Sequence, residues 1–81
     1  MSYHDDVRRK ILEEGTKGSL ENAQRKAQEY QSKASANYAL SKSSTSAEDQ
    51  KRYYADSQSA YNKRNAWLEV IEIILGRLSG K

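Results

Sequence analysis

The chain has no cysteine, no proline and no phenylalanine among its 81 residues, and only four glycines. Without cysteine, disulfides and thiolate metal sites are excluded, so no covalent staple or zinc ribbon holds so short a chain together. Without proline, no residue inside a helical stretch lacks its backbone donor, which fits long uninterrupted helices. Branched aliphatics are also scarce: Leu, Ile and Val together number 12, while alanine alone contributes nine. No apolar run reaches the ~20 residues of a membrane span, and the N-terminus lacks the apolar core of a secretory signal. With a net charge of only +3 and a patterned apolar set, the chain reads as one folded domain rather than a disordered segment.

What is present is helical periodicity. Residues 5–14 (DDVRRKILEE) read as a short helix, with Asp5 and Asp6 where the dipole favours anions and Val7 and Ile11 on one face. Gly15 and Gly18 end it, and Ser19 is the expected N-cap of a second helix over 20–41. That helix carries a stripe of Leu20, Ala23, Ala27, Tyr30 and Ala34 at heptad-like spacing. Residues 42–46 (KSSTS) read as a turn, and Thr45 with Glu48 forms a capping box that starts a third helix near Ser46. The third helix is expected over 46–78, with a seam of Ala47, Gln50, Tyr54, Ser57, Tyr61, Arg64, Leu68, Ile71, Leu75 and Leu78. Folded antiparallel at the turn, the stripes pair Ala34 with Tyr54, Tyr30 with Ser57, Ala27 with Tyr61 and Leu20 with Leu68, position numbers totalling 87 or 88. The expected architecture over residues 1–81 is therefore one all-α domain, a short N-terminal helix followed by a long antiparallel, coiled-coil-like hairpin.

The hydrophobic residues are unevenly placed. Seven of the 12 Leu, Ile and Val lie between Leu68 and Leu78, with Trp67 beside them. In the register above, the second helix ends opposite Leu68, so this apolar end projects past the hairpin and only Val7, Ile11 and Leu12 remain to cover it. A surface that wide calls for a further partner. The expectation is a homo-oligomer with its interface at Trp67, Val70, Ile71, Ile74, Leu75 and Leu78. A membrane-surface role is not expected, because the segment lacks the basic polar face of such helices, and the expected location is cytoplasmic.

No chemistry-bearing motif stands out. The single histidine, His4, has only Asp5 and Asp6 beside it, and these serve the helix terminus. Glu13–Glu14 and Glu48–Asp49 are sequence neighbours and point about 100° apart on a helix, which suits termini rather than paired acid–base work. Glu69 and Glu72 share a face, but as the polar strip of the most apolar segment. No phosphate loop, nucleophile elbow or metal spacing occurs, so no catalytic residue, metal or cofactor is expected and the chain does not read as an enzyme.

Six of the seven aromatic residues are tyrosine, several interleaved with cations. Aromatic faces beside guanidinium and ammonium groups hold bases, nucleotides and acidic partners. Tyr30, Tyr54 and Tyr61 are expected on the seam, leaving Arg25, Lys26, Tyr38, Arg52, Tyr53 and Lys63 as the candidate ligand or partner contacts. The basic excess is thin, however: +2 over residues 19–46, +1 over 47–65 and zero elsewhere, less than a duplex-binding face shows. The expected function is stoichiometric protein–protein binding, as an inhibitor, adaptor or regulator of the size mobile elements and phages encode. The alternatives are an oligomeric binder of nucleotide, nucleic acid or other anionic ligands, and a helical filament subunit.

The segment SAYNKRNAWLEVIEIILGRL, residues 59–78, resembles the tyrosine-containing, aliphatic C-terminal helix of type III secretion needle subunits, as do the chain length and hairpin. The resemblance implies a filament subunit. It covers about a quarter of the chain and lacks the proline-containing turn of that family, replaced here by a Ser/Thr run. The chain does not match helix-turn-helix repressors, whose helices are shorter and more aliphatic throughout.

Overall fold

The computed structural model describes residues 3–76, with side chains described from Asp5 onward. Among the described residues there are three helices and no strand: α1 (Tyr3–Gly15), α2 (Leu20–Ser43) and α3 (Ala47–Ile74). The all-helical class and the hairpin are as the periodicity predicts. The capping signals act locally as expected, with one shift. Ser19 accepts from the Asn22 amide at 3.1 Å and opens α2. For α3 the cap is Ser46, accepting from the Asp49 amide at 3.4 Å, one residue beyond the predicted Thr45–Glu48 pair. At its far end α3 stops four residues short of the predicted 78. Gly76 takes φ +78 there and donates to the Ile73 carbonyl at 3.0 Å, the left-handed exit that glycine makes without a Cβ clash.

The hairpin closes in a different register from the one the stripes suggest. Gln50 Nε2 donates to the Ser44 carbonyl at 2.6 Å, Arg64 Nη1 donates to Gln31 Oε1 at 2.6 Å, and the Lys63 ammonium lies 5.7 Å from the Tyr30 ring centre. Position numbers in these pairs total 93 to 95, so α3 is displaced by about a heptad relative to α2. Two causes are visible. α2 runs on to Ser43, leaving only residues 44–46 for the connection, and Gln50 ties the first turn of α3 back to the end of α2. The consequence is large. In this register Leu20 falls opposite Ile74, so α2 lies along the whole of α3 as described, from Ala47 to Ile74.

α3 is also rotated from its expected face. The buried or half-buried positions toward α2 are Tyr53, Ser57, Ala60, Arg64, Trp67, Ile71 and Ile74, alternating four and three apart. This set shares Ser57, Arg64 and Ile71 with the predicted seam but replaces Tyr54, Tyr61, Leu68 and Leu75 by the residue just before each. The reason is packing. The α2 seam is built of Ala23, Ala27 and Ala34, all buried, and a floor of alanines accepts one large ring rather than a row of large side chains. Trp67, the bulkiest side chain in the chain, fills that space, while Ala60 and Ser57 let the helices approach nearer the tip. Ser57 is fully buried, and its hydroxyl has no hydrogen-bond partner.

α1 packs on α3 and completes the core. Trp67 and Val70 form its centre with Ala23 and Ala27, and Ile11, Leu12, Tyr30, Ile71 and Ile74 pack around them. Val70 has no exposed surface, and burial of that kind stabilises by about 1.5–3 kcal/mol. Gly15, the last residue of α1, sits directly on the Trp67 ring and the Val70 methyls. On the outer side, Arg8 bridges to Glu69 with N–O separations of 2.8 and 3.0 Å. The Glu69 carboxylate, first by hydrogen bonding and then by charge, holds the Arg8 guanidinium pKa above its ordinary value.

Candidate binding surfaces

The core described above takes two of the expected interface residues for itself. Trp67 and Val70, expected between subunits, lie inside the chain at 9% and 0% exposure. Ile71 and Ile74 are half-buried and pack against the same core. Leu75 remains 44% exposed, and Leu78 lies outside the described residues. The physical reason is the register: α2 and α1 between them cover Trp67, Val70, Ile71 and Ile74, which an overhanging helix would have left bare.

What stays open is the other flank of α3. Tyr54, Tyr61, Leu68 and Leu75 are spaced seven residues apart, so they form one ridge along the helix. Tyr54, Leu68 and Leu75 are 51%, 42% and 44% exposed, and Tyr61 is half-buried. Beside the ridge runs a shallow groove against α2, lined by Gln24, Ala27, Gln28, Gln31, Arg64, Leu68 and Ile71. Its walls are amides and aliphatics with one cation. That cation is engaged within its own chain: Arg64 donates from Nη1 to Gln31 and from Nε and Nη2 to Asn65 Oδ1, at 2.6–3.2 Å, and its guanidinium stacks on Tyr61 at 5.2 Å. The ridge is thus apolar, charge-poor and continuous for six turns of helix.

A second surface has the opposite character. On the other side of the hairpin, a hollow is lined by Tyr30, Lys33, Asn37, Asp56, Ser59, Ala60 and Lys63. The Lys33 and Lys63 ammonium groups lie 5.2 and 5.7 Å from the Tyr30 ring centre, within cation–π range from two different helices. Of the six predicted contact residues, the structure brings only Lys63 into this hollow. Lys26 pairs with Glu29 at 3.9 Å, and Arg25 donates to Asn22 at 2.8 Å beside an open depression on α2 with Gln28, Glu29, Ser32 and Lys33. Arg52 pairs with Asp49 at 3.5 Å and stacks on Tyr53 at 5.1 Å, and Tyr38 is stacked under Lys42 at 4.9 Å near the tip. The sequence expectation leaves Tyr30 and Lys33 out of the contact set because it places Tyr30 on the seam. Their spacing of three residues is the signal that could have found them, whereas Lys63 joins only once the register is known.

Tyr53 and Tyr54 exchange roles relative to expectation. Tyr53 is half-buried, whereas Tyr54 is 51% exposed. Tyr53→Ala should therefore lower the thermal midpoint of the isolated chain more than Tyr54→Ala, which removes a ring half in solvent. The gap is expected at roughly 1–2 kcal/mol, within the range set by burying an aromatic more completely. Circular dichroism melts of the two variants check it, and equal melts would return Tyr54 to the seam.

No group of three or more His, Cys, Asp or Glu among the described residues is placed to hold a metal ion, and no described helix is long and apolar enough to cross a membrane. No protein-family model, no curated protein and no solved structure matches the chain.

Proposed function

We propose that this chain is a small non-enzymatic helical binding protein that self-associates and acts stoichiometrically on another protein in the cytoplasm, as an inhibitor, adaptor or regulator of the kind phages and other mobile elements encode. The observation that carries this reading is the ridge of Tyr54, Tyr61, Leu68 and Leu75. None of these four large side chains at heptad spacing belongs to the chain's own core cluster, and three of them are more than two-fifths exposed. Heptad-spaced apolar residues are the pattern by which helices recognise other helices. An exposed row of this kind marks an interaction surface in a chain otherwise rich in charge.

Sedimentation equilibrium tests it. The wild-type mass should rise above the 9.2 kDa of one chain as concentration increases. Leu68→Glu with Leu75→Glu should stay at the single-chain mass with an unchanged helical signal, because a carboxylate at each site tolerates water but not a covered interface. A wild-type mass fixed at one chain across the range removes self-association.

The hollow around Tyr30 supports a second reading, the binding of nucleotide or another anionic ligand. Two ammonium groups from different helices converge there on one ring. An anion held by Lys33 and Lys63 would be released steeply as salt rises, whereas contacts on the ridge would persist.

A further inference from the structure

We infer that the occupant of the α3 ridge is a second copy of the chain laid antiparallel across it, on a two-fold axis that passes between residues 64 and 65. Tyr54 then packs on Leu75 of the partner subunit, and Tyr61 packs on Leu68 of the partner subunit. This rests on the self-association proposed above and specifies its geometry.

The even spacing is the first argument. Because the four positions are seven apart, one antiparallel offset aligns all of them at once, and the two-fold repeats each contact. The order of side chains along the ridge is the second. It runs Tyr, Tyr, Leu, Leu from the tip toward the C-terminal end of α3. Parallel pairing would set ring on ring in two layers and leucine on leucine in the other two, so the helices would be held apart at one end and underfilled at the other. Antiparallel pairing gives every layer one tyrosine and one leucine. Layer volume is then constant, and the helix axes keep one separation along the ridge, as close packing requires. Each tyrosine also keeps its hydroxyl toward the rim, where water reaches it.

Charge and area agree with a copy of the same face. Gln24, Gln28 and Gln31 line the groove beside the ridge and Arg64 is the one charged residue in that lining, so the face offers little charge with which to select a partner of opposite sign. Arg64 lies beside the two-fold, and its three guanidinium nitrogens are turned to Gln31 and Asn65 of its own chain rather than across the axis. The ridge from Tyr54 to Leu75 is about 32 Å long at the helical rise of about 1.5 Å per residue. With the α2 groove beside it, a strip about 20 Å wide buries on the order of 1,300 Å² over both copies, inside the range of stable specific interfaces.

The absence of native cysteine makes the orientation directly readable. Tyr61→Cys and Leu68→Cys chains, each confirmed as helical, are mixed under reducing conditions, oxidised and resolved by mass. The mixture should yield a covalent heterodimer several-fold in excess of the homodimer from either variant alone. In the antiparallel order each cysteine lies about 10 Å along the axis from its own counterpart, beyond the reach of a disulfide. The pair Tyr54→Cys and Leu75→Cys should repeat the result at both ends of the ridge. Homodimers formed by each variant alone, with no preference for the mixture, would overturn the antiparallel order and leave self-association standing. No cross-link in either pair, from chains whose mass is that of two, would remove the ridge as the interface. No cross-link from chains whose mass is that of one would remove both the geometry and the self-association beneath it.

Discussion

Trp67→Ala should be the most damaging single truncation in the chain, costing about 3–5 kcal/mol. The ring is 9% exposed and touches all three helices' contributions to the core: Ala23 and Ala27 from α2, Val70 from α3 and the Gly15 backbone end of α1. The α2 residues that face the ring are alanines, which cannot fill the space it leaves. A single domain of this size has about 5–15 kcal/mol in total, so the thermal midpoint should fall on the order of 20 °C. The adjacent Leu68→Ala removes a side chain that is 42% exposed, and it should cost the isolated chain less than about 1 kcal/mol. Urea titrations followed by far-UV circular dichroism at low concentration give both numbers. If Leu68→Ala were the worse of the two, the seam would lie where the heptad count alone puts it.

That contrast shows how far the sequence can be read. Periodicity is enough to identify three helices, because α2 and α3 have no breaker and each begins at a serine cap. It is enough to find Ser57, Arg64 and Ile71 on the seam, since both candidate faces contain them. It does not choose between the residues before and after. Hydrophobicity does not separate Tyr54, Tyr61, Leu68 and Leu75 from Tyr53, Ala60, Trp67 and Ile74, since one layer sets tyrosine against tyrosine and another leucine against isoleucine. The choice is made by volume against the alanines of α2 and by a third helix that reaches Trp67, neither of which a single-helix pattern contains. The register has the same character. Thr45 and Glu48 mark the turn region, but a tie from Gln50 to the Ser44 carbonyl fixes where pairing begins, and that is a side-chain contact six residues apart.

The surfaces were legible in proportion to how local they are. Stacked pairs within a helix, Arg52 on Tyr53 and Lys42 on Tyr38, follow from spacings of one and four residues. The hollow at Tyr30 needs Lys63 from across the hairpin, so a register wrong by a heptad hides it. The exposed ridge is itself a heptad stripe in the sequence, and periodicity alone turns it inward. The chain carries two apolar faces on α3, and folding uses the one that admits Trp67.

The substitution Gly15→Ala tests that choice from the side of α1. A Cβ on Gly15 would come 2.8 Å from Trp67 Cζ3 and 2.8 Å from Val70 Cγ2, with the second Val70 methyl at 3.0 Å. Real Cβ atoms are not found that close, and the obstructing atoms belong to buried side chains with no room to retreat. Gly15 lacks the positive φ that would demand glycine, so its role is close approach: the end of α1 lies directly on the Trp67–Val70 surface. Alanine gains about 1 kcal/mol of helix propensity at an interior position, less at a terminus. Overpacking costs about 1–3 kcal/mol, so the net change should be destabilising. Gly18→Ala is the control. Its nearest atoms beyond the chain neighbours are 3.5 and 3.7 Å away, ordinary contact, so its stability should stay within about 0.5 kcal/mol of wild type. Adding Val70→Ala withdraws both offending methyls. The double variant should therefore lose less than the sum of the two single changes, with a coupling of about 0.5–3 kcal/mol. Additive losses, or a Gly15→Ala chain as stable as wild type in urea, would mean that α1 does not close on Trp67 as drawn.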